Sequence, residues 1–290
     1  MKYVLTLVGN PLAADLVAAA DDALAATAPP DWLAHDQACD LFTDLTADEA
    51  RARLAPLLAE AAVDHCLQPA ASRRKRLLIA DMDSTMITVE CVDVLAEAAG
   101  VGARVREITE IAMRGELDFV GALRQRVAML EGLPENALER VFEQDIAFSP
   151  GGRTLVQTMR AHGAHTALIS GGFTFFTERV AGRIGFHEHR ANRLELADGR
   201  LTGTVAEPIL GRESKVSALE ELTARLGVSP RDALCIGDGA NDIGMIEAAG
   251  LGVAWRGKPV VRAAADACID HGDLGTALFF QGYREDEFST

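Results

Sequence analysis

Two aspartates, Asp81 and Asp83, form the first candidate site in the sequence because they follow a short apolar run at Leu77–Ala80. Four apolar residues between polar neighbours are typical of a strand that is buried on both faces of a parallel sheet. Side chains alternate along an extended chain, so we expect both carboxylates to leave the strand on the same side. Two adjacent carboxylates favour a shared proton or a bound cation, and the pair can supply a nucleophile or metal ligand beside a proton donor. The alternative is a surface turn or a helix N-cap with solvated aspartates.

Two further loops carry polar residues after predicted strands. The apolar strand Thr166–Ile169 ends in Ser170-Gly171-Gly172, and Ala233–Ile236 ends in Gly237-Asp238-Gly239-Ala240-Asn241-Asp242. Parallel strands place their carboxyl ends at one edge of the sheet, where open α/β folds bind ligands. Lys215 precedes the second loop by one helix and can reach the same edge. A Ser-Gly-Gly segment alone is usually only a turn, and a lone lysine is usually solvated. The Gly237–Asp242 loop is a more specific sign of a functional site, because loops seldom need three carboxylate or amide side chains and two glycines directly after a buried strand.

These residue types fit phosphoryl transfer. Asp81 and Asp238 offer the oxygen ligands that a hard cation such as Mg²⁺ prefers. Ser170, the backbone N–H groups that follow it and Lys215 would surround phosphoryl oxygens and neutralise the charge that grows there.

The elements that must position these residues are those of an α/β fold with a doubly wound parallel sheet, because strands and helices alternate along most of the chain. Between Thr88 and Phe148 the pattern changes to helices separated by glycines, which predicts a helical cap inserted after the first core strand. Asp198-Gly199 between two alternating runs predicts a hairpin within Asn192–Val205. We expect His187-Glu188-His189 to be a solvated, exposed turn.

Residues 1–68 are expected to form a small α+β domain, with strands at Tyr3–Val8 and Val63–Leu67 and a helix capped by Thr46. Residues 69–76 are the predicted linker. Its basic run, Arg73-Arg74-Lys75-Arg76, is interpreted as a solvated hinge in preference to a nucleic-acid site.

Composition narrows the choice of partners. The 290 residues include 43 acids and 28 bases, for a net charge of −15, which argues against nucleic acid or an anionic membrane surface. No signal peptide or membrane-spanning segment is visible. The five cysteines are scattered and form no Cys-x-x-Cys pair, so we expect a reducing, cytoplasmic location.

The segments DMDST, SGG and GDGANDIGM, with Lys215 between the last two, resemble the four motifs of the haloacid dehalogenase-like phosphohydrolases. VECVDVLAEAAG, EITEIAMRGELDFVGALRQRV, SGGFTFF, ANRLEL and LTGTV are similar to the phosphoserine phosphatase family over residues 77–280. The resemblance implies a catalytic core at 77–87 and 149–290, a cap at 88–148 and Mg²⁺-dependent hydrolysis of phosphoserine, the last step of serine biosynthesis. The first 68 residues are similar to ACT-like regulatory domains, which suggests serine feedback and a possible homodimer.

The resemblance also implies a role for each site residue. Asp81 would be the nucleophile that becomes an aspartyl phosphate, and Asp83 would protonate the leaving seryl oxygen and then activate water. The other implied contributions are Mg²⁺ binding by Asp81, the Asp83 carbonyl and Asp238, phosphate and substrate binding by Ser170, Gly171, Lys215 and Asn241, and support of the loop by Asn241 and Asp242.

The cap residues implied by the resemblance are Glu90 for the substrate ammonium, Arg126 for its carboxylate, and Met113 and Phe119 as closing apolar contacts. An amino acid phosphate presents both a cation and a carboxylate, which an acid and an arginine fork match. Exposed helix charges and ordinary helix packing are the alternatives for these four residues.

Three functions are therefore open from sequence. The first is a phosphoserine phosphatase, and the second is a phosphatase or phosphotransferase acting on another small amine or alcohol phosphate. The third is a non-catalytic amino-acid sensor, although the presence of Asp81, Asp83, Lys215 and Asp238 speaks against it.

Overall fold

The structure, a computed structural model, describes residues 2–113 and 116–290. Its strands are β1 (Tyr3–Val8), β2 (Asp31–Ala34), β3 (Ala38–Thr43), β4 (Asp64–Pro69), β5 (Leu77–Ala80), β6 (His165–Phe173), β7 (Glu188–Asn192), β8 (Leu194–Ala197), β9 (Arg200–Val205), β10 (Ala233–Gly237), β11 (Leu251–Trp255) and β12 (Ala267–Ile269). Its α-helices are α1 (Ala14–Leu24), α2 (Ala47–Leu58), α3 (Cys91–Ala98), α4 (Gly102–Met113), α5 (Phe119–Ala128), α6 (Asn136–Gln144), α7 (Gly152–Ala161), α8 (Thr174–Ile184), α9 (Arg212–Leu226), α10 (Ile243–Ala248), α11 (Pro259–Ala264) and α12 (Thr276–Phe280).

The chain forms two compact units. The first comprises Met1–Ile79, Pro150–Thr166 and Leu219–Thr290, and the second comprises Ala80–Ser149 and Ala167–Ala218. The sequence-based boundaries at 68, 76, 87 and 148 stay a prediction.

The sheet of the first unit runs in the order β2-β3-β1-β4-β12-β11-β10-β5. Strands β10, β11 and β12 are parallel, whereas β1 is antiparallel to both β3 and β4. β4 meets β12 through one antiparallel pair, Cys268 with His65. Strand β5 is fully buried along its length, as its unbroken apolar sequence predicts.

The amino-terminal strands pack against α1 and α2. Leu5 and Leu7 of β1 and Leu41 of β3 share a buried cluster with Leu24 and Leu54 from the two helices. Thr46 caps α2 in a reciprocal capping box with Glu49, which satisfies backbone N–H groups at the helix start. This arrangement agrees with the small α+β module that the sequence predicts.

The interpretation of the basic run after β4 as a solvated hinge was wrong for Arg73 and Lys75, whereas Arg74 and Arg76 are exposed. Nη2 of Arg73 lies 2.5 Å from Oδ2 of Asp40, whose side chain is fully buried. Lys75 is 7% exposed and donates to the backbone carbonyls of Ser72 and Arg231. Asp40 and Arg231, which are distant in sequence from the basic run, replace solvent as partners of these two side chains.

The second unit contains the inserted helices α3 to α6 and the strand pair β6 and β7. The two ends of the insertion meet, since Thr88 N donates to the Ala147 carbonyl and Ser149 N donates to the Met86 carbonyl, both at 3.0 Å. β8 and β9 form the predicted hairpin around Asp198-Gly199.

The expected exposed turn at His187-Glu188-His189 was wrong for Glu188 and His189, whereas His187 is exposed at a bend. Glu188 and His189 belong to β7, which pairs in parallel with β6. Nδ1 of His189 lies 3.0 Å from Oγ1 of Thr177 on α8. The residues of β7 before Asn192 are only half-buried, so the strand lacks the continuous apolar pattern of a fully buried one.

The structure confirms the α/β class, with parallel core strands and a helical insertion after β5. None of the helices in the described residues is both long enough and apolar enough to cross a membrane.

Candidate active site

The chain leaves the extended conformation directly after β5. Asp81 precedes a tight turn, Met82–Met86, in which Asp83 and Ser84 have non-helical backbone angles and Ser84 has a φ of +56°. The strand alternation on which the same-side prediction rests therefore ends at Ala80. Asp81 and Asp83 are nevertheless both buried, with 4% and 8% of their surface exposed. Burial excludes the solvated-turn alternative for this aspartate pair.

Asp81 is paired with a buried lysine. Nζ of Lys215, in the first turn of α9, lies 2.6 Å from Oδ1 of Asp81, and the two side chains are 2% and 6% exposed. Buried ions are costly unless an opposite charge and hydrogen bonds compensate them. The contact therefore excludes the alternative of a solvated Lys215 and places a cation beside the aspartate predicted as the nucleophile.

Asp83 uses both carboxylate oxygens. Its Oδ1 accepts a hydrogen bond from the Cys91 backbone N–H at 2.8 Å, and its Oδ2 accepts one from Oγ of Ser170 at 3.0 Å. Oγ of Ser170 in turn accepts from the Gly172 N–H at 2.8 Å. Two of the predicted loops are thus in direct contact.

The glycines after Ser170 are required by close approach. A Cβ on Gly172 would lie 2.5 Å from Oδ2 of Asp83 and 3.0 Å from Oγ of Ser170. A Cβ on Gly171 would lie 3.0 Å from Cζ of Phe119, so the aromatic ring packs directly against the turn. Phe119 therefore brings α5 of the cap to the Ser170 loop, as a closing contact would.

Asn192 is a buried residue that sequence reasoning did not assign. Its Nδ2 donates to the carbonyl oxygens of Gly171 at 2.8 Å and Leu210 at 3.1 Å, and its Oδ1 accepts from the Leu210 N–H at 2.7 Å. It therefore joins the Ser170 turn to the segment that precedes α9. The available sequence signal was the segment ANRLEL, which contributed to the resemblance without assigning a role to its asparagine.

The cap presents charges of both signs. Oγ of Ser84 donates to Oε1 of Glu90 at 2.7 Å, and Nε of Arg126 donates to the Ala122 carbonyl at 3.3 Å. Burial lowers the pKa of Arg126, while the negative charges of Asp93, Glu90 and Asp83 oppose that shift. Arg126 is half-buried, which disagrees with the alternative of an exposed helix charge, whereas Glu90 is exposed.

The Asp238 loop belongs to the first unit. The Gly239 N–H donates to Oδ2 of the buried Asp242 at 3.0 Å, and the Lys258 N–H donates to the Asp238 carbonyl at 3.1 Å. A Cβ on Gly237 would overlap the Asp242 carboxyl group. The loop follows β10, which lies between β11 and β5 in the sheet of the first unit.

Eight predicted site residues with described side chains lie in the second unit: Asp81, Asp83, Glu90, Phe119, Arg126, Ser170, Gly171 and Lys215. Lys215 contacts Asp81, Ser170 contacts Asp83, and Phe119 packs against Gly171. Asp238, Asn241 and Asp242 share one loop of the first unit. The side chain of Met113 lies outside the described residues.

The α/β core with its inserted helices matches the model of the haloacid dehalogenase-like hydrolase family over residues 78–247. The chain therefore belongs to the haloacid dehalogenase-like hydrolase family.

Relatives within this family carry a more specific name. The phosphoserine phosphatase of Polaromonas sp. is 45% identical over 208 residues, which are 70% of this chain and 88% of that protein. Phosphoserine phosphatase SerB2 of Mycobacterium tuberculosis is 43% identical over 215 residues, 74% of this chain. The match spans 52% of that relative, about half of its length.

A solved structure extends the similarity to nearly the whole chain. The crystal structure of a probable phosphoserine phosphatase from Vibrio cholerae is 30% identical, with a TM-score of 0.78, and the match covers 99% of this chain and 88% of that one. Its fold is similar to this one through the amino-terminal strands as well as the core.

Proposed function

We propose that this hydrolase is a Mg²⁺-dependent phosphoserine phosphatase, which converts O-phospho-L-serine and water to L-serine and phosphate. The observation that carries the proposal is the buried contact of 2.6 Å between Lys215 and Asp81. A carboxylate nucleophile and a cation that binds the phosphoryl group would then lie next to each other. The names of the relatives support phosphoserine as the substrate.

The reaction would proceed in two displacements. A carboxylate oxygen of Asp81 attacks phosphorus, the bond to the seryl oxygen breaks, and Asp83 donates a proton to that oxygen as serine leaves. Asp83 then takes a proton from a water molecule that attacks the aspartyl phosphate. The Asp81 carboxylate is regenerated and phosphate departs.

The Ser170 turn would hold the phosphoryl oxygens. Ser170 is 1% exposed and in contact with Asp83, and the Gly172 N–H donates to its hydroxyl oxygen, so the turn is already held beside the carboxylate. N–H groups, a hydroxyl and the Lys215 ammonium are donors that stabilise growing negative charge. Asn192 would position this turn through the Gly171 carbonyl.

The donor set fits Mg²⁺. Asp81, Asp238 and Asp242 each offer a carboxylate oxygen, the ligand type that hard cations prefer. The proposed ligands are Asp81, the Asp83 carbonyl and Asp238, and Asn241 and Asp242 would support their loop. When bound, Mg²⁺ would neutralise part of the charge on the phosphoryl oxygens.

Substrate choice would lie in the cap. Arg126 would bind the carboxylate of phosphoserine through its planar fork, and Glu90 would accept a hydrogen bond from the ammonium. Phe119, against Gly171, would close the site.

The test is phosphate release from O-phospho-L-serine in the presence of Mg²⁺, with and without a chelator. We expect turnover that the chelator abolishes and that Mg²⁺ restores. A panel with phosphoethanolamine and glycerol phosphate separates the alternative of a different small phosphate. Absence of release from every substrate would favour the non-catalytic sensor.

The wider setting is part of the same proposal. Serine biosynthesis would be the pathway, and a reducing cytoplasm the location, since all five cysteines are free thiols. Dimerisation and amino-acid regulation through residues 1–68 stay predictions.

A further inference from the structure

Asp93 contains a buried carboxylate oxygen that forms no hydrogen bond within the described residues. The atom is Oδ1, and Asp93 as a whole is half-buried. A buried polar atom without a partner is costly, and native structures contain few of them. Such an atom near a binding site is explained when a ligand supplies the missing donor.

Asp93 lies beside the residues proposed to recognise the substrate. Glu90 is the N-cap of α3, and Asp93 is in the first turn, three residues later. Residues three apart share one face of a helix. The start of a helix favours negative charge, which helps both side chains to remain ionised.

The charges around Arg126 point to the same place. Asp93, Glu90 and Asp83 all act on the Arg126 guanidinium, with Asp93 the strongest of the three. Burial raises the pKa of Asp93, and the positive charge of Arg126 opposes the rise. Arg126 thus interacts with three acids, so negative charge is in excess around it. The ammonium of a substrate would reduce that excess.

We propose that Asp93 is a specificity-determining residue whose Oδ1 accepts a hydrogen bond from the α-ammonium of the substrate, alongside Glu90. This inference rests on the proposed function and deepens it. An ammonium has three donors, whereas Glu90 already uses Oε1 to accept from Ser84. A second acceptor at Asp93 would make the site select phosphates that carry an amine, because an analogue without one leaves the buried oxygen unpaired.

The experiment compares Asp93→Asn with wild type on three ligands. O-phospho-L-serine carries both the amine and the carboxylate, phosphoethanolamine carries the amine alone, and 3-phosphooxypropanoate carries the carboxylate alone. We would measure kcat/KM for phosphoserine and competitive inhibition constants for the other two. Turnover of p-nitrophenyl phosphate, which has neither group, checks that the fold and the chemistry are intact.

Glu97→Gln is the matched control, because it removes one charge from the same helix at a residue paired with the exposed Arg106. It should leave all four measurements unchanged.

We expect Asp93→Asn to lower kcat/KM for phosphoserine about tenfold or more and to weaken phosphoethanolamine similarly. Binding of 3-phosphooxypropanoate and turnover of p-nitrophenyl phosphate should change less than about twofold. Equal weakening of phosphoserine and 3-phosphooxypropanoate, with phosphoethanolamine unaffected, would overturn the inference and leave Asp93 as a residue that orients Arg126. No effect on phosphoserine would also overturn it.

Failure of the proposed function would be distinguishable, because it would be seen in the wild type. Wild-type protein that hydrolyses p-nitrophenyl phosphate but not phosphoserine would remove both the proposed substrate and the role of Asp93.

Discussion

The chemistry of the site depends on a few buried charges with named partners. Asp81 faces Lys215, Asp83 faces Ser170 and the Cys91 backbone, and Arg126 faces Asp93 and Glu90. Burying a charge lowers the stability of the fold unless a partner compensates it, and such charges are common at functional sites. Substitution of each of these charged residues should therefore change substrate binding or stability in its own way.

Arg126→Ala should weaken phosphoserine binding by roughly 1.5–3 kcal/mol, the usual range for a hydrogen bond to a charged group. The effect should be seen as a higher KM in steady-state phosphate release. Arg124→Ala is the matched control on the same helix, since Arg124 is 60% exposed and pairs with Glu207. Unchanged phosphoserine kinetics in Arg126→Ala would remove its role in carboxylate binding.

Asp93 also predicts a dependence of stability on pH. Burial raises its folded pKa above the ordinary value of 3.8, so the folded state binds more protons than the unfolded state. Stability is therefore lost as pH rises from about 4 through the folded pKa. Asp93→Asn should raise the melting temperature relative to wild type by more at about pH 7 than at about pH 4.5. An equal difference at both pH values would contradict this explanation.

At the scale of elements, the end of β6 controls the geometry of the site. The Ser170-Gly171-Gly172 turn contacts the Asp83 carboxylate on one side and the Phe119 ring on the other. Asn192 at the end of β7 holds the turn through the Gly171 carbonyl. Small side chains are required because strand, turn and cap helix approach within van der Waals distance.

Gly172→Ala tests this packing. The added Cβ would lie 2.5 Å from Oδ2 of Asp83, so the carboxylate must move. Displacement of a catalytic group by about 1 Å can cost on the order of 100-fold in rate, and we expect a loss of that size in kcat/KM.

Gly182→Ala in α8 is the control for Gly172→Ala, because nothing lies within 4 Å of the added Cβ. It should retain activity and stabilise the helix by about 0.5–1 kcal/mol. Equal activity of the two variants in phosphate release would show that the turn tolerates a side chain.

At the scale of the whole molecule, the first unit is held together by contacts between segments far apart in sequence. Arg73 pairs with Asp40, and Thr6 donates to the other oxygen of Asp40 at 2.6 Å. Arg284 binds Asp31 through two oxygens, and Gln68 donates to the Phe280 carbonyl. The amino-terminal strands are therefore tied to both the basic segment and the carboxyl-terminal segment.

Arg73→Ala should lower the free energy of unfolding by roughly 3–5 kcal/mol, because it leaves the buried Asp40 carboxylate without its cation. Denaturant unfolding measures the change. Arg51→Ala, at a side chain 62% exposed, should change stability by less than about 0.5 kcal/mol. An equally small change in the free energy of unfolding for Arg73→Ala would show that the Arg73–Asp40 pair does not stabilise the fold.

The sequence was most informative where one local signal determined the structure. The apolar run of β5 predicted a buried strand, and the polar residues after β5, β6 and β10 predicted where the chemistry lies. Local patterns could not reveal that Arg73 and Asp40 meet across 33 residues, or that charged residues after His187 form β7. Asp93 was missed because the buried state of one oxygen depends on packing between helices.

The central claim is that Asp81 is the nucleophile of a phosphoserine phosphatase, and phosphate release by Asp81→Asn compared with wild type tests it most directly. Uncatalysed hydrolysis of phosphate monoesters is so slow that enzymes can supply up to roughly 10²¹-fold acceleration, so loss of the nucleophile should be plain. With O-phospho-L-serine and Mg²⁺, we expect release by wild type and none above background by a folded Asp81→Asn protein. Near-normal release by that variant, or no release by wild type, would contradict the claim.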